Sequence, residues 1–413
     1  MVAAGVLLFR PASAAVILRA PDTLVPSTFF GMHIHRLATT TPWPGVSFGS
    51  WRLWDAYTAW PNLEPVPGGW DFKVLDQYVA ASEQKGVDVI LPLALSPQWA
   101  SSRPEEKSAY ELGNAANPAR LDAWRDYVRM VATRYKGRIF AYEIWNEPNL
   151  KQFYSGSVTD MLQLAGAAYA IIKGTDPHAL VCSPSATNQD GVEWLDQYLE
   201  LGGGKYADVI GFHFYANPEP PEHMLPLIEQ VKAVLQKHNL GNKPLWNTET
   251  GWAIQNRLSV VQAAPASSRF NSVVLTEDQA SAYLVRTYVL NWAENIQRVY
   301  WYSWDNKVMG LTEADGKTPK QPARAYAEVR KWLLGARMKS CASSAEGTWI
   351  CQIARENGYQ GWIVWDPDHS IEFSIPSNWG VRDVRELSGL VRDLKEQELL
   401  INSTPMLLET SAQ

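Results

Sequence analysis

At 413 residues, 46% of them hydrophobic, the chain can bury the core of a barrel of roughly 250 to 330 residues plus a smaller domain, which excludes intrinsic disorder. A net charge of −6 without any run of Lys or Arg excludes nucleic acid and anionic membrane as partners and leaves a neutral substrate. No stretch reaches the roughly 18 apolar residues of a membrane span.

The chain opens with an apolar run at residues 2–9, followed by Ala12-Ser13-Ala14, a small-x-small cleavage pattern. Residues 1–14 read as the later part of a secretory signal that lacks its basic segment, so the expected location is secreted or periplasmic. Three cysteines cannot build a disulfide framework. Cys341 and Cys351 flank a turn at Ala345-Glu346-Gly347, where a hairpin disulfide fits an exported protein, and Cys182 reads as a buried thiol.

From residue 29 to 304, short apolar runs alternate with helical patterns, the signature of repeated βα units around a parallel sheet. Eight strands are expected, at residues 29–35, 46–54, 87–95, 139–146, 179–185, 208–215, 243–249 and 299–304. Asp71 is placed to cap a helix that carries Phe72, Leu75, Tyr78 and Val79 on one face and stops at Gly86. Asn117-Pro118 opens the next, with Leu121, Trp124, Val128 and Val131. Thr276 and Gln279 form a capping-box pattern ahead of a long amphipathic helix to about Asn295. Eight such units imply an α/β fold, a (β/α)8 TIM barrel over residues 26–334.

Beyond residue 335 the pattern changes to short β-rich runs, at 349–354, 361–365, 370–375, 381–386 and 399–408, separated by Gly, Pro, Asn and Asp. Residues 335–413 therefore read as a small antiparallel, sandwich-like β-domain, to which residues 15–25 are free to add a strand.

Catalytic side chains of such a barrel gather at the C-terminal ends of the strands. The fourth strand ends in Ile144-Trp145-Asn146-Glu147-Pro148-Asn149 and the seventh in Trp246-Asn247-Thr248-Glu249-Thr250-Gly251-Trp252. Two carboxyl groups facing one sugar, with flat rings to hold it, are what cleavage of a glycosidic bond requires. Glu147 takes the role of general acid/base and Glu249 that of nucleophile, kept ionised by donors from Arg52 and Tyr215. Asn146 is placed for the sugar 2-hydroxyl. The reaction calls for no metal and no cofactor.

These residues also carry a resemblance. Trp145-Asn146-Glu147-Pro148, Thr248-Glu249-Thr250-Gly251-Trp252, Arg52 within Trp51-Arg-Leu-Trp-Asp55, and His213-Phe-Tyr215 look like clan A glycoside hydrolases. Within the clan the chain most resembles family 39, including exopolysaccharide-cleaving enzymes of the PslG type, with family 5 close by. The resemblance implies a retaining mechanism with the acid/base after the fourth strand and the nucleophile after the seventh. It also implies an open cleft and a β-linked oligo- or polysaccharide as the substrate partner; an exo-acting β-xylosidase or β-glucosidase remains open.

Nineteen Trp and 17 Tyr exceed what the core needs, and pyranose faces stack on such rings. Trp99, Trp252 and either Trp301 or Trp304 are placed to line a cleft, Trp304 being nearest the strand end, with Asp305 and Asn306 as further sugar partners. His33 and His213 join them, though each residue also has a bland reading as core packing or a satisfied barrel histidine. Glu143 and Glu64 read as structural or surface groups, and the 253–275 segment as a wall or lid beside the nucleophile. Two rivals remain: a metal-dependent hydrolase using His33-Ile34-His35, and a non-catalytic carbohydrate-binding barrel.

Overall fold

The computed structural model describes residues 15–257 and 273–410. The expected signal segment and the middle of the expected lid lie outside them. Eight parallel strands form the barrel: β1 (Phe30–Met32), β2 (Ser50–Arg52), β3 (Asp88–Leu93), β4 (Ala141–Ile144), β5 (Leu180–Cys182), β6 (Ile210–His213), β7 (Leu245–Thr250) and β8 (Val299–Trp301). Each neighbours the next, and β8 returns to β1 with Val299 opposite Phe30. The β5–β6 seam is closed by a bridge between Cys182 and Val209 and by Ser183 N–H donating to the Val209 carbonyl at 2.9 Å. Strands buried on both sides read as continuous apolar runs, so each is shorter than its expected range and falls within it, except that β7 runs one residue past its expected end, to Thr250.

Among the described residues, besides the one-turn helix Trp60–Leu63 after β2, seven longer helices follow β2 to β8: α1 (Lys73–Lys85), α2 (Leu121–Arg134), α3 (Val158–Thr175), α4 (Asn188–Glu200), α5 (Met224–Lys237), α6 (Glu277–Ala293) and α7 (Gln321–Leu333). Among the described residues no α-helix joins β1 to β2. Asp71 accepts from the N–H of Lys73, and Gly86 ends α1 in the left-handed region at φ 64°. At α6 the capping box is present, with Thr276 accepting from Gln279 N–H and Gln279 from Thr276 N–H. That helix is not amphipathic as expected: its flanks from Ala280 to Ala293 are buried almost throughout, because α7 and the β-domain cover the side that would face water.

The C-terminal strands are β9 (Arg337–Ser343), β10 (Trp349–Ala354), β11 (Gln360–Trp365), β12 (Ile371–Ser374), β13 (Asp383–Arg385), β14 (Val391–Asp393), β15 (Glu398–Ile401) and β16 (Met406–Glu409). One antiparallel sheet runs β9-β10-β11-β16-β13-β14, and Ile17–Leu18 pairs on its edge with Ala342 and Cys341. β12 and β15 form a second sheet. Trp362, Val364, Val384, Ile401 and Leu408 fill the space between. Cys341 and Cys351 face each other across the β9–β10 ladder and are joined by a disulfide; Cys182 is a buried free thiol. Trp365 ties this domain to the barrel by donating to Glu222 at 2.8 Å, a carboxylate that also holds Arg286.

Candidate active site

Glu147 leaves β4 through two residues in the left-handed region, Trp145 at φ 66° and Glu147 itself at φ 46°. Such a backbone costs about 1–3 kcal/mol per residue and persists only where the surroundings hold it. Here Trp145 is fully buried and its Nε1 donates to the Phe153 carbonyl, while the Glu147 N–H donates to Ser185 O at 2.9 Å. Glu249 sits in β7, where its neighbours Thr248 and Thr250 bond to Ser185 and to the Phe214 carbonyl on the other face. The pleat thus sends Glu249 inward. Gly251 is required next: a Cβ there would lie 2.2 Å from the Tyr302 carbonyl oxygen.

The two glutamates, almost wholly buried, converge. Oxygens of Glu147 and Glu249 and a ring nitrogen of His213 all lie within 4.8 Å of one another. Arg52, fully buried on β2, reaches four partners: Nε donates to Glu143 at 2.6 Å, Nη2 to Asn146 Oδ1 at 2.7 Å, and Nη1 to Glu249 Oε2 at 2.7 Å with His33 Nε2 at 3.1 Å. Tyr215 donates to the other oxygen of Glu249 at 2.8 Å. His213 Nδ1 lies 2.9 Å from Glu147 Oε1.

These contacts separate the two acids. Burial raises the pKa of both, that of Glu249 to about 7 against the pull of Arg52 and Tyr215. Glu147 stands well above the ordinary glutamate range through burial and then through the charge of Glu249. Burial and then Arg52 hold His33 and His213 well below the usual histidine value, so both rings are neutral. The group facing Glu147 is thus uncharged, whereas Glu249 faces a guanidinium. Glu249 is the one that ionises first.

Not every expected site residue comes together here. Arg52, His33, Asn146, Glu147, His213, Tyr215 and Glu249 form one hydrogen-bonded group. Trp252 is buried between Tyr283 and Trp301, with its Nε1 on the Glu219 carbonyl, and Trp304 is 2% exposed within the apolar core. Trp99, partly exposed, packs edge-on against Trp60 and donates to the Glu64 carbonyl, outside that hydrogen-bonded group. The tryptophan excess is mostly packing, since Trp51, Trp60, Trp124, Trp145, Trp301, Trp332 and Trp365 are also fully buried. Asp305 is structural: it accepts from the N–H groups of His35 and Arg36 and from Thr41. Asn306 caps the turn at Val308 and Met309.

An aromatic beyond the expected set that reaches the site is Tyr302, one residue past β8. Its ring lies 5.2 Å from His33 and its hydroxyl donates to Asp55 at 2.6 Å. The Tyr-Trp-Tyr-Ser-Trp run signals only that a ring lies there. Glu143, fully buried against Arg52, and Asp55, which also accepts from Tyr110 at 2.5 Å, were likewise missed as site residues. Glu64 is structural, accepting from Trp60 and from Gly68 N–H. The His33/His35 metal pair does not form: His33 spends Nδ1 on the Trp301 carbonyl and Nε2 on Arg52. Among the described residues, Glu147, His213 and Glu249 are the one group close enough to hold an ion.

Residues 36–308 match the family described as Cellulase (glycosyl hydrolase family 5). A "Beta-xylosidase" of Geobacillus stearothermophilus is 24% identical over 204 residues, 43% of this chain and 39% of that protein, so the chain matches well under half the length of that relative. Among solved structures, a family 39 glycoside hydrolase from the gut symbiont Bacteroides cellulosilyticus WH2 superposes with a TM-score of 0.72 at 18% identity, over 94% of this chain and 82% of that one. A glucosidase from Croceicoccus marinus gives 0.64 at 13% identity, over 96% and 98%. The clan A resemblance read from the strand-end motifs therefore stands, with the family 39 likeness carried at the level of fold. The chain belongs to the cellulase family, glycosyl hydrolase family 5, and is a clan A glycoside hydrolase with a TIM barrel.

Proposed function

We propose that the protein is a retaining glycosidase of β-linked oligo- or polysaccharide, working by double displacement with Glu249 as nucleophile and Glu147 as acid/base. One observation carries this reading: carboxylate oxygens of the two residues lie within 4.8 Å, one pair of donors serving Glu249 and a neutral histidine facing Glu147. Retaining pairs are about 5–5.5 Å apart and inverting pairs about 6.5–9.5 Å, because inversion must fit a water between acid and sugar.

Glu249 attacks the anomeric carbon as Glu147 protonates the departing oxygen, forming a glycosyl ester on Glu249. Glu147, now a carboxylate, then takes a proton from the water that breaks the ester. Arg52 holds Asn146 by its Oδ1, which leaves the amide Nδ2 as the donor toward the sugar 2-hydroxyl. Charge growing on the ring strengthens that contact in the transition state.

The relative named as a beta-xylosidase supports a β-linked substrate. The Cys341–Cys351 disulfide supports an exported protein, as does the apolar N-terminal run. An open cleft acting on a polymer such as a bacterial exopolysaccharide is the preferred substrate reading; products from β-glucans, xylans, mannans and exopolysaccharides distinguish it from removal of terminal sugars. NMR of the first product formed tests the mechanism. Retention of the β-anomer supports it, and release of the α-anomer refutes it.

A further inference from the structure

Asn149 stands two residues past the acid in the fourth-strand motif, and its amide grips the backbone of Thr187 from both sides. Its Oδ1 accepts from the Thr187 N–H and its Nδ2 donates to the Thr187 carbonyl, each at 3.0 Å. The Glu147 N–H in turn donates to the Ser185 carbonyl at 2.9 Å, and Asn146 bridges to Ser185. The loop that carries the acid and the segment 185–187 are therefore locked together.

Thr187 is fully buried and lies opposite His213 in the ladder that Ala186–Thr187 makes with β6. It is also the N-cap residue of α4, a position where a threonine hydroxyl ordinarily accepts from a free N–H of the first turn. Here it forms no such bond, and the helix opens on Asn188 in the left-handed region at φ 60°. The hydroxyl is turned instead toward the His213 carbonyl, at 3.5 Å, and toward the Glu147 carboxyl, whose charged form it favours. A capping bond is given up for a contact with the acid.

The charge around Glu147 changes during the reaction. The titratable groups that act on it are Glu249 of β7, Arg52 of β2, Asp55 after it, Tyr110 after β3, and His213 and Tyr215 at the end of β6. After burial, Glu249 is the strongest influence that keeps Glu147 protonated. Once Glu249 carries the sugar as an ester that charge is gone, and Arg52 and the Thr187 hydroxyl favour the carboxylate against burial and Asp55. In the second half of the reaction the water oxygen bonds the anomeric carbon, the ester bond breaks to free the Glu249 carboxylate, and the water proton passes to Glu147. Resting on the glycosidase reading above, we propose that Asn149 and Thr187 are positioning residues for this half, Asn149 fixing the Thr187 backbone so that its hydroxyl donates to Glu147 while Glu147 acts as the base.

The test uses the full chain and the dinitrophenyl β-glycoside of whichever of xylose, glucose or mannose it cleaves. This leaving group departs without protonation, so kcat reports hydrolysis of the glycosyl ester and kcat/KM reports its formation. Thr187→Val, which keeps the branched shape and removes the hydroxyl, should lower kcat at least about tenfold and change kcat/KM less than about threefold. The acid limb of its kcat profile should move up by about one pH unit, the loss of one bond to a charged group. Thr187→Ser should restore kcat to within about threefold of the wild type. Asn149→Ala, which leaves the hydroxyl in place but unheld, should show the same split between kcat and kcat/KM, and it decides alone if the valine variant does not fold. Equal losses in kcat and kcat/KM, an unmoved acid limb, or a serine variant as slow as the valine one overturns the proposal while the hydrolase reading stands. A wild type that cleaves none of these glycosides, or that releases the α-anomer, takes down that reading and the proposal with it.

Discussion

Arg52 Nε lies 2.6 Å from Glu143 Oε2, and both side chains are fully buried. Glu143 acts through Arg52: it fixes the plane of the guanidinium whose other edges hold Asn146 and Glu249. It is a positioning residue. Glu143→Gln is expected to lower kcat by about 10–100-fold with little change in KM, the cost of a small misplacement of reacting groups. Glu143→Ala should in addition destabilise the fold by about 3 kcal/mol, since it leaves part of a buried charge uncompensated. Unchanged kcat in a folded Glu143→Gln enzyme would reduce the residue to scaffold.

The acid role of Glu147 depends on how much help the leaving group needs. Glu147→Ala should lose at least about a thousandfold on an alkyl glycoside and far less on a dinitrophenyl glycoside, which departs without protonation. Azide should then rescue turnover and yield a β-glycosyl azide. Equal losses on both substrates would remove Glu147 from the acid role.

The pH profile follows from two raised pKa values. Activity requires Glu249 ionised and Glu147 protonated. The acid limb should lie near about 7 rather than in the ordinary glutamate range near about 4.3, and the alkaline limb higher still. In Glu147→Gln the alkaline limb should vanish on activated substrates. The same shifts bear on stability: carboxyls with folded-state pKa values above their unfolded ones stabilise fully below about pH 4 and lose that contribution as pH rises through the folded values. Glu147→Gln should therefore unfold at a higher temperature than wild type at pH 8, and at a similar one at pH 4. An acid limb below pH 5 would contradict the burial of the pair.

What the sequence made legible followed from local rules. Fully buried strands read as apolar runs, the Thr276–Gln279 pair announced the start of α6, and the two glutamates stood out through their ordinal strands. What it hid depended on neighbours distant in the chain. The pairing of β8 with β7 shifts register between Val299 and Trp301, so counting along the strand could not show that Tyr302, rather than Trp301 or Trp304, meets His33. Asp305 looked like a sugar ligand until the His35–Arg36 backbone was seen to occupy it. β9 escaped because Arg-Met-Lys-Ser-Cys-Ala-Ser carries no clear alternation, being covered on one side by α6 and exposed at Lys339 and Ser340.

The disulfide in that strand gives a local prediction. It closes a loop of 10 residues, so its removal should cost about 2–3 kcal/mol by loop-closure entropy. The double variant Cys341→Ser/Cys351→Ser should show a lower unfolding midpoint, with kcat/KM on a 4-nitrophenyl glycoside unchanged at 25 °C. A matching loss of activity would mean that the β-domain shapes the catalytic end of the barrel.

The most direct test is to trap the covalent intermediate. A 2-deoxy-2-fluoro β-glycoside with a dinitrophenolate leaving group should inactivate the enzyme in step with release of one equivalent of dinitrophenol. Mass spectrometry of the digest should then find the added sugar on the peptide that contains Glu249. Sugar attached at Glu147 or elsewhere, or steady turnover with no adduct and an inverted product, would contradict the double displacement.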